Sequence, residues 1–201
     1  MRGFVTSSRE EMAAADAVIL PGVGAFGDAM ASLRRLDLVG PLGELAAASK
    51  PLIGICLGMQ LLLSHSSEFG EHEGLGIIEG SVRGLGVGSE PPVATSNGNP
   101  LKVPQVGWNR VFAVEAASAE KASVPSLLHD LPEGVFMYFV HSFFVEPVDR
   151  TVVSGKSLYG GIDFCSALQS GNVFGFQFHP ERSGEHGLTV YRNLATWLSE
   201  N

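Results

Sequence analysis

The chain has 201 residues, 45% hydrophobic and 17% charged, enough for one domain with a real core and too apolar for a disordered or fibrous chain. Thirteen Lys and Arg against 21 Asp and Glu leave a net charge of −8, which gives no electrostatic footprint for nucleic acid or an anionic membrane. No apolar run approaches the ~18 residues of a membrane span and no signal peptide is visible, so a cytoplasmic, reducing compartment is expected.

In chain order, Ser8-Arg9-Glu10-Glu11 reads as a capping box opening a short helix through Ala15, and Ala17–Leu20 as a buried strand. Gly27–Leu36 follows as a helix with Ala29, Met30, Leu33 and Leu36 on one face, then Pro51–Ile55 as a strand and Met59–Ser64 as a helix. Strands alternating with helices predict an α/β layer fold with parallel pairing. From about Ile77 the runs shorten, and Arg83–Pro104, rich in Gly, Pro, Ser and Asn, reads as a surface loop. Val135–Val140, Ser166–Leu168 and Val173–Phe178 read as strands of a mixed or antiparallel sheet, the last two split by the turn pair Gly171-Asn172. A helix over Gly187–Leu198 closes what is expected to be a single domain across residues 1–201.

Gly54-Ile55-Cys56-Leu57-Gly58 sits where an apolar strand turns into a helix, the context of a nucleophile elbow. The small flanking residues permit the sharp turn, and a helix N-terminus beside an imidazole is expected to lower the thiol pKa and favour the thiolate. Taken alone, the pentapeptide fits a core cysteine between packing glycines equally well. The second piece is Gly175-Phe176-Gln177-Phe178-His179-Pro180-Glu181, an apolar strand ending in an imidazole with a carboxylate two residues on. Cys56 as nucleophile, His179 as base and acid, and Glu181 as the group that orients the imidazole fill the three roles of such a triad. The third is Leu20-Pro21-Gly22-Val23-Gly24, a strand ending in a glycine-rich turn whose N–H groups, with that of Leu57, could form an oxyanion hole.

Other candidates carry less. Cys56 and Cys165 lie in no metal-site spacing, so free thiols and neither metal nor cofactor are expected, with Cys165 a small core residue. His65, His72, His129 and His186 lie among polar residues and read as solvated. His141, directly after an apolar run, fits a site residue and a structural one equally.

With these pieces together, the chain resembles the class I glutamine amidotransferases, the triad family with a Cys elbow followed later by His-x-Glu. The matching blocks are Pro21 to Met30, Gly54 to Leu61, Gly107-Trp108-Asn109 and Gly175 to Gly184. The resemblance implies a mixed, mostly parallel sheet flanked by helices. It also implies glutamine hydrolysis at Cys56, with ammonia passed to a separate (β/α)₈-barrel cyclase subunit in histidine biosynthesis. Carried over by motif, Gly24, Gln60, Ser142 and Phe143 would hold glutamine, Gly22 and Val23 would belong to the oxyanion strand, and Trp108 would face the partner. Such subunits are expected to be nearly idle until partner and ligand bind.

The chain departs from that pattern in two places. Gln105 stands where a His is usual. The family also begins with a strand, a turn and a helix; about thirty residues of that pattern are missing, and the loss is expected to expose two unpaired strand edges in a doubly wound sheet. Two alternatives stay open: a glutaminase subunit of the pyridoxal phosphate synthase type, whose turn would read Pro-Gly-Gly-Glu-Ser, and a truncated regulatory subunit without catalysis.

Overall fold

The computed structural model describes residues 2–48, 50–86, 98–114 and 126–200. Helix α1 (Arg9–Ala14) is capped by Ser8, whose hydroxyl accepts from Glu11 N, as the capping-box residues predict. Strand β1 (Val18–Gly22) leads to α2 (Phe26–Arg35) and α3 (Val39–Ala47), then to β2 (Leu52–Cys56) and the short α4 (Leu57–Leu61). Helix α3 carries no sequence signal, because its two glycines and Pro41 are poor helix formers. Pro41 sits in the first turn, where its missing N–H costs nothing.

The expected helix Met59–Ser64 is a correction: α4 stops at Leu61 and β3 (Leu63–Ser66) begins. Leu61, Leu62 and Leu63 are all buried, and pairing to two neighbouring strands outweighs local helix propensity. There follow β4 (His72–Glu73), β5 (Ile78–Gly84), β6 (Gln105–Ala113), β7 (Val135–His141), β8 (Phe143–Pro147), β9 (Val153–Tyr159), β10 (Ile162–Ser170) and β11 (Val173–Phe176). Helix α5 (Gly184–Glu200) begins three residues earlier than expected. The expected loop Arg83–Pro104 starts inside β5, and its residues 87–97 lie outside the described residues.

Among the described residues, eleven strands form one curled sheet in the order β1-β2-β11-β10-β8-β5-β3-β4, with β9 joining β10 to β6 and β7 paired to β6. Parallel pairing is confined to β1/β2, β2/β11 and β3/β5, and the other pairs are antiparallel, so the sheet is mixed with a smaller parallel part than the first third suggests. The β10/β11 hairpin turns on Gly171-Asn172 as expected, although β11 ends at Phe176, two residues short. Strand β1 lies directly beside β2 and pairs with it in register over Val18–Gly22, so the sheet is continuous there, without the pair of unpaired edges expected.

All five residues of β2 are buried. Leu52 joins a core cluster with Met30, Leu33 and Leu42 from α2 and α3, whereas Ile53 and Ile55 join a second cluster with Val190, Leu194 and Trp197 of α5. Alternation along a strand sends neighbours to opposite faces, so helices cover the parallel strands on both sides. The carboxyl ends of β1 and β2 thereby open side by side at one edge of the sheet.

Candidate active site

Cys56 ends β2 with φ 54° and ψ −112°, and α4 starts at the next residue. A non-glycine residue held there costs about 1–3 kcal/mol, and the strained elbow turns its side chain out at the end of the sheet. The flanking glycines are required by space. A Cβ on Gly58 would lie 1.8 Å from the Leu20 carbonyl oxygen, and one on Gly54 would lie 2.6 Å from Met59 N.

His179 stands at the start of a 3₁₀ turn (Pro180–Arg182) after β11. Its backbone N–H donates to Tyr138 O at 2.9 Å, and Ser183 Oγ donates to its carbonyl at 2.6 Å while accepting from Tyr138 N at 2.9 Å. These bonds tie the histidine to β7. Its Nδ1 is 2.7 Å from Glu181 Oε1. An ionised carboxylate only accepts, so Nδ1 carries the hydrogen and Nε2 of the neutral ring is left with its lone pair.

Cys56 and His179 line one cleft of about 290 Å³, together with Val23, Gly24, Leu57, Gln60, Ser142 and Phe143. Three singled-out residues lie outside it. Glu181 stands behind His179; Gly22 pairs with Cys56 in the β1/β2 register and packs on Leu57; Trp108 lies on the outer face of β6, 56% exposed. Glu68, His141 and Arg182 also line the cleft. Glu68 is a buried carboxylate whose Oε2 accepts from Phe26 N at 2.7 Å, and its stretch, Ser66-Ser67-Glu68-Phe69-Gly70, reads only as a polar loop in sequence.

The expected thiolate is a correction. Burial pushes the Cys56 thiol up to about 11 and the charge of Glu181 adds to the rise, against lowering by the Leu57 N–H and the Gln177 amide. Five residues of helix supply too little dipole to overcome desolvation. At neutral pH Cys56 is therefore a thiol that needs a base.

A chain of buried polar contacts runs behind the sulfur. Gln60 Nε2 donates to Phe143 O at 2.9 Å and to Gln177 Oε1 at 3.0 Å, and Gln177 Nε2 lies 3.7 Å from Cys56 Sγ. His141 is buried, with Nδ1 2.9 Å from Phe143 O and Nε2 3.0 Å from the Gln105 side-chain amide at Oε1. Burial pushes His141 down to about 4, so its ring is neutral. The Phe143 carbonyl can only accept; Nδ1 therefore donates, Nε2 accepts, and Gln105 must turn its amide nitrogen to the ring.

Cys165 is a buried thiol donating to Ala167 O at 3.2 Å, pushed up to about 12 by burial. His65, His129 and His186 are exposed, whereas His72 is half-buried against Gly27. Among the described residues no group of His, Cys, Asp or Glu could hold a metal ion, and no helix is long and apolar enough to cross a membrane.

A family model for class I glutamine amidotransferases matches residues 4–196. The imidazole glycerol phosphate synthase subunit HisH of Rhodopirellula baltica is 43% identical over 192 residues, covering 96% of this chain and 84% of that one. The subunit of the same name from Moorella thermoacetica is 42% identical over 190 residues, covering 94% and 80%. Among solved structures, a glutamine amidotransferase aligns with a TM-score of 0.62 at 16% identity, covering 97% of this chain and 83% of that one. The PurLQS structure from Thermotoga maritima aligns at 0.57 and 22% identity, covering 91% and 80%, and both show the fold. The chain belongs to the class I glutamine amidotransferases and, within them, to the family of the imidazole glycerol phosphate synthase subunit HisH.

Proposed function

We propose that Cys56, His179 and Glu181 hydrolyse the side-chain amide of glutamine, and that the ammonia passes to the (β/α)₈-barrel cyclase subunit of imidazole glycerol phosphate synthase. The observation that carries the reading is the strained elbow of Cys56 sharing a cleft with His179, whose Nδ1 is held by Glu181 at 2.7 Å.

The steps follow from proton positions. His179 Nε2 takes the Cys56 proton as sulfur attacks the amide carbon, then returns it to the nitrogen as ammonia leaves. Water, activated by the same imidazole, hydrolyses the thioester; glutamine and water become glutamate and ammonia. The N–H of Leu57 and the turn at Val23 and Gly24 are the candidate donors for the oxyanion. Glu68, a buried carboxylate on the cleft wall, is the group suited to the substrate's α-ammonium. Gln60, Ser142 and Phe143 complete the glutamine site.

The outer face of β6 and β7 is the proposed partner surface. Val106, Val140, Trp108 and Phe136, with half-buried Tyr138, form an apolar ribbon on this face, with Trp108 edge-on to Tyr138 at 5.9 Å, Arg110 5.0 Å over the Phe136 ring and Arg182 4.6 Å over the Tyr138 ring. The Val140 carbonyl lies 3.7 Å from Cys56 Sγ, so the ribbon is one backbone away from the nucleophile. A protonated resting thiol fits a subunit that waits for its partner.

Glutamate release is measured with and without the cyclase and its nucleotide ligand, for the chain and for Cys56→Ala. Release that rises with partner and ligand, and falls more than about a thousandfold in Cys56→Ala, is expected. Release that survives the substitution removes Cys56 from the nucleophile role.

A further inference from the structure

We propose that Gln177 acts directly on the reacting sulfur: its side-chain amide nitrogen is a fixed hydrogen-bond donor to Cys56 Sγ, with the amide's direction imposed through Gln60 by the Phe143 carbonyl. The inference rests on Cys56 being the nucleophile and adds a residue to the machinery.

The direction follows from counting donors. Phe143 O is a backbone acceptor and cannot donate, so the side of Gln60 facing it at 2.9 Å must be the amide nitrogen. That nitrogen has two hydrogens, and the second goes to Gln177 Oε1 at 3.0 Å. Turning Gln60 over would set its oxygen against a carbonyl oxygen. Gln177 therefore spends its acceptor on Gln60, and the end left for Cys56, 3.7 Å away, is the donor. A donor stabilises a thiolate relative to a thiol, whereas the opposite orientation would accept the S–H and hold the proton in place. Gln177 is fully buried beside Phe176 and Phe178, where an amide is costly unless every bond is made.

The test is the rate at which iodoacetamide alkylates Cys56 at pH 8, followed by peptide mass spectrometry, in the full chain and in Gln177→Met, which keeps the length and removes the donor. Cys165, buried and far more weakly acidic than a free thiol, reports loosening of the fold in the same sample. Loss of packing around a buried thiol raises its alkylation, so a fall at Cys56 with Cys165 unchanged isolates the donor. The expected fall is about tenfold or more, the worth of a hydrogen bond to a charged group. A Cys56 rate equal to or above the parent's, with Cys165 unchanged, overturns the proposal. If both rates rise, Gln60→Met decides: it leaves Gln177 free to turn, and a smaller fall at Cys56 supports the proposal while no fall overturns it. Glutamate release by Cys56→Ala runs in parallel, so a failed nucleophile assignment is told apart from a failed role for Gln177.

Discussion

His141 shows how a residue's meaning is set by atoms distant in sequence. Its ring is buried and neutral, pushed down to about 4 chiefly by desolvation, and both nitrogens are held. In the unfolded chain the ring takes a proton below about pH 6.5, while the folded ring refuses it until about 4, so stability is full above 6.5 and is lost as pH falls through that window. The loss amounts to about 3 kcal/mol between pH 7 and 4. Urea unfolding at pH 7, 6, 5 and 4 is expected to show a decline that begins near 6.5. Glu146 and Asp149 are held below the ordinary carboxylate range by Arg83 and Thr151 and titrate lower, so a profile flat down to pH 5 counts against His141. The sequence put His141 at a sheet edge but left its role open, because Gln105 lies 36 residues away and the Phe143 carbonyl is invisible to residue type. The Cys56 motif misleads for a related reason: it displays a helix start, whereas the burial that dominates the thiol comes from the whole fold.

At the scale of elements, the β2–α4 elbow is the most constrained join in the chain. The space for residue 58 is closed by the Leu20 carbonyl of β1, a backbone atom that cannot swing away. Gly58→Ala is expected to destabilise by about 3 kcal/mol or more, beyond ordinary overpacking, and to shift Cys56. A contrast lies in α3, where a Cβ at Gly43 meets nothing within 4 Å. Gly43→Ala is expected to stabilise by up to about 1 kcal/mol, because alanine loses less backbone entropy in a helix. Denaturation midpoints of the two variants check both signs together; equal shifts would contradict the steric account. The elbow was legible because its glycines, apolar strand and cysteine are contiguous. Helix α3 was hidden by Gly40, Pro41 and Gly43, and β3 by a leucine run that suits helix and strand alike.

For the whole molecule, the β6/β7 ribbon sets an apolar surface beside the catalytic edge. Trp108 is 56% exposed, so its loss removes little core, yet an aromatic anchor at a docking surface commonly carries much of the binding energy. Trp108→Ala is expected to weaken binding of the cyclase by about 2 kcal/mol or more, roughly 30-fold, with the melting temperature of the isolated chain unchanged. Titration calorimetry and thermal unfolding measure the two quantities. Unaltered affinity would move the docking surface elsewhere. Sequence supplied Trp108 through resemblance alone, since an exposed aromatic on one strand acquires significance only when Tyr138 lies across from it and Phe136 beside Tyr138 on the same face of β7.

The Phe143 carbonyl is a main-chain atom, and heredity treats it differently from a side chain. Any amino acid placed at position 143 brings the same acceptor, so no point substitution there deletes it. The polarity of the contacts on both of its sides is thus shielded from single-codon change. An insertion or deletion between β7 and β8 has the opposite character: by moving one oxygen it would disturb His141 and Gln60 in a single stroke.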